Sequence, residues 1–199
     1  MRIGIDIDGV LTDIEKWQLD YGSKFYFEKY GKEILNNEWY ETTDIFKVDS
    51  KLNDEFWTEY FKDYSINIDV RKFASEVIKR LKQDGNEIYI ITARGNFLSH
   101  STEVMSIEEN RNIVLNWLKI NEIEYNNIIF SSEDKLSICL ENSIDVMIED
   151  KPANINKIST RIPVICFHAG YNKNCIGNNI IRCYSWYDIY AKINSIKLR

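Results

Sequence analysis

Histidine is scarce in this 199-residue chain, with only His100 and His168 present. That disfavours a histidine-rich zinc centre, which draws on several imidazoles or thiolates. The four cysteines, Cys139, Cys166, Cys175 and Cys183, have no CxxC spacing and read as free thiols of a reducing cytoplasm. Two prolines and 8 glycines leave little room for long disordered or low-complexity stretches. No apolar run approaches the ~18 residues that a membrane span needs. Asp6 and Asp8 sit close to the start, so the N-terminus does not read as a signal peptide. Basic residues are outnumbered, 25 against 31 acidic, for a net charge of −6. Coating a long nucleic acid requires the opposite balance. A small phosphorylated substrate needs only a local positive site and stays compatible with this charge.

Against these scarcities stands an excess of aromatics, 13% of the chain. Of the 26 aromatics, 14 fall between residues 14 and 72. The length suits one ordinary domain, or one carrying a modest insert. Five Ile/Val-rich runs read as buried parallel strands: Arg2–Asp8, Glu87–Thr92, Asn127–Ser131, Ile144–Glu149 and Pro163–His168. Helical periodicity lies between or after them. It covers Val70–Gln83, Ser106–Ile120, Glu133–Glu141 and Trp186–Ile196, with Ser106 and Glu109 in capping-box spacing. Strands alternating with helices predict an α/β fold with a parallel sheet flanked by helices. Residues 14–72 interrupt the rhythm without a convincing strand and read as a mostly helical insert whose aromatics make a small core.

Ligands of open parallel sheets bind at the carboxyl ends of the strands. There the sequence places Asp6, Asp8, Gly9 and Thr12, then Thr92, Ala93 and Arg94, then Glu133, Asp134 and Lys135, then Glu149 and Asp150. Asp6 and Asp8 are two apart, so on a strand they face the same side. Close carboxylates repel unless a cation intervenes. With Asp150 they make a hard-oxygen set suited to Mg²⁺ and a phosphate ligand. Lys135 adds a positive charge, and the Thr92 hydroxyl with nearby backbone N–H groups can hold phosphate oxygens. Arg94 and Lys151 flank this set and read either as phosphate contacts or as solvated loop charges. His100 lies in a polar loop with no assigned role, and His168 reads as a satisfied edge residue.

The DIDGVLTD run, Asp6–Asp13, resembles the first motif of haloacid dehalogenase-like phosphohydrolases. The strand ending in Thr92 matches the second motif, Lys135 the third, and Glu149-Asp150 the acidic fourth, all in order. This resemblance implies a Rossmann-like core of residues 1–13 and 73–199, with a small helical cap, residues 14–72, inserted after the first strand. It implies Asp6 as nucleophile, Asp8 as general acid and base, and Lys135 as charge partner. Thr92, Ala93 and Arg94 would meet the substrate. Asp6, Asp150 and Asp8, the last through its backbone carbonyl, would hold Mg²⁺. The second acid, Asp8, marks phosphoryl-transfer members rather than dehalogenases.

Within that superfamily the chain is most similar to the bacterial nucleotidase-like branch related to the 5′(3′)-deoxyribonucleotidases. The short cap directly after DGVLTD and the IEDKPANI run, Ile148–Ile155, carry this finer resemblance. Two positions depart from it: Ile14 stands where the nucleotidases have a base-stacking aromatic, and Ala93 replaces the Ser of a Thr-Ser pair. Trp17, Trp39 or Trp57 could supply a stacking face instead, although core packing is the default for each. The resemblance implies a cytoplasmic Mg²⁺-dependent phosphomonoesterase acting on a (deoxy)nucleoside monophosphate. The alternative is the same chemistry on another small ester, a sugar phosphate or cofactor precursor. A non-catalytic receiver-like phosphoacceptor also uses acids, a hydroxyl and a lysine, but it carries the acceptor Asp on a middle strand. The insert, with 9 Lys/Arg against 13 Asp/Glu, argues against polynucleotide substrates.

Overall fold

The computed structural model describes residues 1–96, 106–131 and 134–197. Six strands pair in one parallel sheet: β1 (Arg2–Ile5), β2 (Glu87–Thr92), β3 (Asn127–Phe130), β4 (Val146–Glu149), β5 (Val164–Phe167) and β6 (Ile180–Cys183). Their spatial order is β3-β2-β1-β4-β5-β6. β1 is therefore central, and the order reverses between β1 and β4, where open sheets form their ligand crevice.

Successive residues of a strand face opposite sides, and this divides the core in two. Ile3, Ile5, Ile88, Ile90, Val146, Ile148, Ile165 and Phe167 pack with α4 (Ala74–Gln83), α5 (Ile107–Ile120) and α8 (Trp186–Lys197). Ile91, Met147, Val164 and Cys166 pack with α6 (Lys135–Glu141) and α7 (Pro152–Ile158) on the other face. Both faces are covered, which is why the strands read as continuous apolar runs rather than alternating ones. A third cluster lies within residues 14–64, built from Trp17, Phe25, Tyr26, Phe46, Phe56 and Tyr64 of α1 (Ile14–Tyr30), α2 (Thr42–Ile45) and α3 (Ser50–Asn67), with the Phe46 that follows α2. The concentrated aromatics thus do make a small core of their own.

The chain enters and leaves this helical segment side by side. Thr12 and Val70 form an antiparallel bridge. The Arg71 amide donates to the Leu11 carbonyl at 2.7 Å, its Nε to the Thr12 carbonyl at 3.0 Å, and its Nη1 pairs with Asp13 at 3.1 Å. This pairing corrects one expected boundary. The helix expected from Val70 begins at Ala74, because Val70 is in the bridge and Phe73 has a left-handed φ of 67°.

Other boundaries differ as well. The first strand stops at Ile5, since the Ile7 carbonyl collects the amides of Leu11 at 2.9 Å and Thr12 at 3.1 Å in a tight turn. Neither β6 nor α7 was anticipated from the sequence. The capping box at Ser106 is present, with both reciprocal hydrogen bonds formed. The helix expected from Glu133 starts at Lys135 with Asp134 as its cap, while Glu133 and His100 lie outside the described residues. Among the described residues, no helix is long and apolar enough to cross a membrane.

Candidate active site

The carboxyl ends of β1, β2 and β4 meet in one acidic crevice. Asp6 directly follows β1 and is only 7% exposed, with its backbone amide bonded to the Ile148 carbonyl at 3.1 Å. Glu149 ends β4, and Asp150 follows it, both fully buried. Ligand oxygens of Asp6, Glu149 and Asp150 all lie within 4.8 Å of one another. Gly9 makes this approach possible. Its φ of 82° suits glycine, and a Cβ there would sit 1.9 Å from Asp150 Oδ2.

Lys135, at the first turn of α6, is the buried cation of the cluster. Its Nζ lies 2.9 Å from Asp6 Oδ2 and 2.8 Å from Glu149 Oε2. Burial works against its charged form, but the two carboxylates outweigh that and raise its pKa. Glu149 is saturated. Oε1 accepts the amides of Asp150 (3.1 Å) and Lys151 (3.0 Å), and Oε2 accepts Lys135 and the Asn154 amide (3.1 Å). Burial opposes its ionisation, yet Lys135 and these donors hold its pKa below the usual value.

The other two acids are in the opposite condition. Burial, followed by the charges of Glu149 and Asp6, lifts Asp150 well above the usual carboxylate range. Its Oδ2 accepts the Tyr171 hydroxyl, while Oδ1 is buried without a hydrogen-bond partner. Asp6 is pushed up to about 7, first by burial and then by Glu149 and Asp8, with Lys135 only partly offsetting them. A buried trio of acids with one lysine is short of positive charge. An orphaned carboxylate oxygen among hard-oxygen donors is what a divalent cation would satisfy.

Asp8 is held apart from that trio. Arg94 Nε reaches its two oxygens at 3.0 and 3.3 Å, and Arg94 Nη2 and the Tyr64 hydroxyl both bond Oδ1. The Asp6 and Asp8 carboxylates, expected side by side on a strand, therefore have different partners, because the chain turns after Ile5. Arg94 is no solvated loop charge. It is 4% exposed, with its guanidinium 4.7 Å from the Tyr64 ring and 5.5 Å from the Trp117 ring. Its Nη1 is buried without a partner. Thr92 is fully buried, and its hydroxyl oxygen accepts the Arg94 amide at 3.0 Å. Lys151 pairs with Glu41 at 3.3 Å and lies 4.4 Å from the Tyr40 ring.

Two chambers adjoin here. The inner one, about 190 Å³, is lined by Asp6, Asp8, Ala93, Ser131, Lys135 and Asn154. The outer one, about 220 Å³, is lined by Ile14, Gln18, Trp57, Phe61, Tyr64 and Arg94. Asp8, Tyr40, Ala93 and Lys151 border both. Of the tryptophans considered for stacking, Trp57 lines the outer chamber, Trp17 is buried in the helical core, and Trp39 is exposed.

The loops behind the acids are pinned by Asn172. Its amide donates to the carbonyls of Asp150 and Phe167, each at 2.8 Å, and its Oδ1 accepts Arg182 Nη1 at 2.8 Å. Arg182 lies on β6, so the unforeseen edge strand supports Asp150 through one side chain. His168 is indeed an edge residue, 3.2 Å from Arg182 and beside the Tyr184 ring. The phenols of Tyr64 and Tyr171 were missed from sequence. Trp57, Phe61 and Tyr64 have the helical spacing of a buried stripe, which announces packing but not the hydroxyl at its end.

This chain resembles known proteins in sequence and in fold. The family model described as 5′ nucleotidase, deoxy (pyrimidine), cytosolic type C protein matches residues 1–199. A nucleotidase of Clostridium acetobutylicum is 27% identical over 198 residues, covering 98% of this chain and 95% of that protein. A crystal structure described as a predicted phosphatase from the same organism superposes with a TM-score of 0.62 at 17% identity, over 98% of each chain. A haloacid dehalogenase-superfamily hydrolase from Ehrlichia chaffeensis gives a TM-score of 0.52 at 14% identity, over 98% of this chain and 97% of its own. With a parallel six-stranded sheet and the acids at its carboxyl edge, this chain is a phosphomonoester hydrolase of the haloacid dehalogenase superfamily and belongs to the 5′ nucleotidase, deoxy (pyrimidine), cytosolic type C protein family.

Proposed function

We propose that the chain is a Mg²⁺-dependent phosphatase of nucleoside monophosphates, preferring deoxynucleotides, that works through a phosphoryl-Asp6 intermediate. The observation that carries this reading is the pairing of two chambers: an inner one that holds Asp6, Asp8 and Lys135, and an outer one with Tyr40, Trp57, Phe61 and Tyr64 in its wall. The phosphate belongs in the first and a flat leaving group in the second.

Asp6 Oδ attacks phosphorus as the ester P–O bond breaks, and Asp8 gives its proton to the departing oxygen. Water then attacks the phosphoryl-aspartate, Asp8 takes up its proton, and inorganic phosphate leaves with Asp6 restored. Asp8 borders both chambers and so can reach the bridging oxygen. Lys135 offsets charge on Asp6. The Thr92 hydroxyl, whose oxygen accepts the Arg94 amide, keeps its proton for a phosphoryl oxygen, the Ala93 backbone helps orient that group, and Arg94 fixes the Asp8 carboxylate. Asp6, Asp150 and the Asp8 carbonyl are the natural cation ligands, since both Glu149 oxygens are already taken. Mg²⁺ bound there would neutralise the acids and draw charge from a phosphate oxygen. The chain's four cysteines are unpaired and buried, which fits the reducing cytoplasm where we place it.

Activity is expected to vanish in EDTA and return with Mg²⁺, and metal-independent turnover would refute the cation site. The metal-free Asp6 titrates at about 7, above its ordinary value of 3.8. The native state then keeps a proton that the unfolded chain releases. Stability without metal therefore falls as pH rises from about 4 through about 7. A cation must displace that proton, so the Mg²⁺-induced rise in Tm should be small near pH 5.5 and large near pH 8. A shift independent of pH would contradict it. For substrate class, dUMP and dTMP should exceed sugar phosphates in kcat/KM by about tenfold or more. The reverse order points to the sugar-phosphate or cofactor-precursor alternative.

A further inference from the structure

Gln18 stands one helical turn beyond Ile14 on α1, and both side chains line the outer chamber. It is 2% exposed, and its carboxamide oxygen is buried with no hydrogen-bond partner. Buried polar atoms are nearly always paired, and an exception invites an explanation. Packing supplies none: Trp57, Phe61 and Tyr64 of α3 make the aromatic part of the lining, and its charged residues pair with one another, Arg94 with Asp8 and Lys151 with Glu41. A slot with an aromatic wall, two ion pairs closed on themselves and one unpaired carboxamide oxygen suits a planar ring carrying hydrogen-bond donors and acceptors on its rim. A sugar offers many hydroxyls and no flat face.

We infer that Gln18 is a specificity-determining residue that hydrogen-bonds the edge of the nucleobase in the leaving group. This rests on the nucleotide reading above and names the contact that enforces it. A carboxamide carries both a donor and an acceptor, so it can match the adjacent carbonyl and N–H of a base edge. The helical segment then does two things to one ligand: α3 covers the face of the ring, and α1 reads its rim. Such a contact replaces the stacking aromatic that the nucleotidases carry at the position of Ile14.

The test compares a deoxynucleotide, dUMP or dTMP, with 2-deoxyribose 5-phosphate, which keeps the phosphate and sugar and lacks the base. A wild-type kcat/KM no higher for the nucleotide removes the nucleotide reading and the inference together. With that preference present, Gln18→Leu is expected to lower the nucleotide-to-abasic ratio by about tenfold or more. An unchanged ratio, with both substrates falling alike or neither falling, overturns the role of Gln18 and leaves the nucleotide reading standing. Removing a buried, unpaired carboxamide oxygen should leave the ligand-free Tm at or above that of the wild type. Should the leucine variant fail to fold, Gln18→Met carries the same comparison.

Discussion

Asp6→Asn is expected to abolish turnover, with kcat falling roughly 10⁴-fold or more, while the protein stays folded. An amide is too poor a nucleophile to form the acyl-phosphate. The same substitution should act on stability in the opposite sense. It removes one ionisable acid from a buried cluster that burial and neighbouring carboxylates already push towards protonation. Above about pH 7 the metal-free variant should therefore melt no lower than the wild type, and its Mg²⁺-induced rise in Tm should shrink. Phosphate release and thermal melts with and without Mg²⁺ check both halves. Retained turnover would sink the nucleophile assignment, and an undiminished Mg²⁺ shift would remove Asp6 from the cation site.

Lys135→Met should lose activity and stability together. The lysine is the one cation within 3 Å of Asp6 and Glu149 among the described residues, and its removal leaves both without a counter-charge. Breaking a buried ion pair from one side costs about 3–5 kcal/mol, which for a chain of this size is roughly 10 °C in Tm. The more negative cluster should then bind a cation more strongly. The Mg²⁺-induced rise should grow in this variant, whereas it shrinks in Asp6→Asn. Two substitutions at groups 2.9 Å apart thus shift one measurement in opposite directions. Lys135→Met with a wild-type Tm, or with a smaller Mg²⁺ shift, would show that Lys135 is not the counter-ion.

The parts of this molecule that were legible in its sequence are those with local signatures. Strands β2 to β5 carry Ile/Val-rich apolar runs and β1 alternates Ile with Arg2 and Gly4, a pattern that has few other uses. The Ser106–Glu109 box spelled out the start of α5 within four residues. What could not be read depended on distant partners. β6 is a four-residue edge strand, mostly half-buried and carrying Arg182, so its composition resembles a loop. α7 opens on Pro152, which favours a first helical turn but equally marks a bend. Arg94 reads as a loop charge until Asp8, 86 positions away, is placed against it. The same holds for the phenols. Tyr64 and Tyr171 serve acids 56 and 21 positions away, and nothing in their neighbours in sequence announces it.

The paired crossing at Leu11–Asp13 and Val70–Arg71 has an architectural consequence. Because the two ends of the helical segment are already zipped together, closing that loop places no demand on the sheet. The pairing of β1 with β2, from Arg2↔Glu87 to Ile5↔Ile90, uses no residue of the segment. Beyond this crossing the segment is tied down at several further points: Tyr64 to Asp8, Glu41 to Lys151, Glu15 to the Gly170 amide and the Ile68 carbonyl to Trp117. The segment thus enters and leaves at one place but is held against the acids at others, so a change in its packing is felt at Asp8 directly.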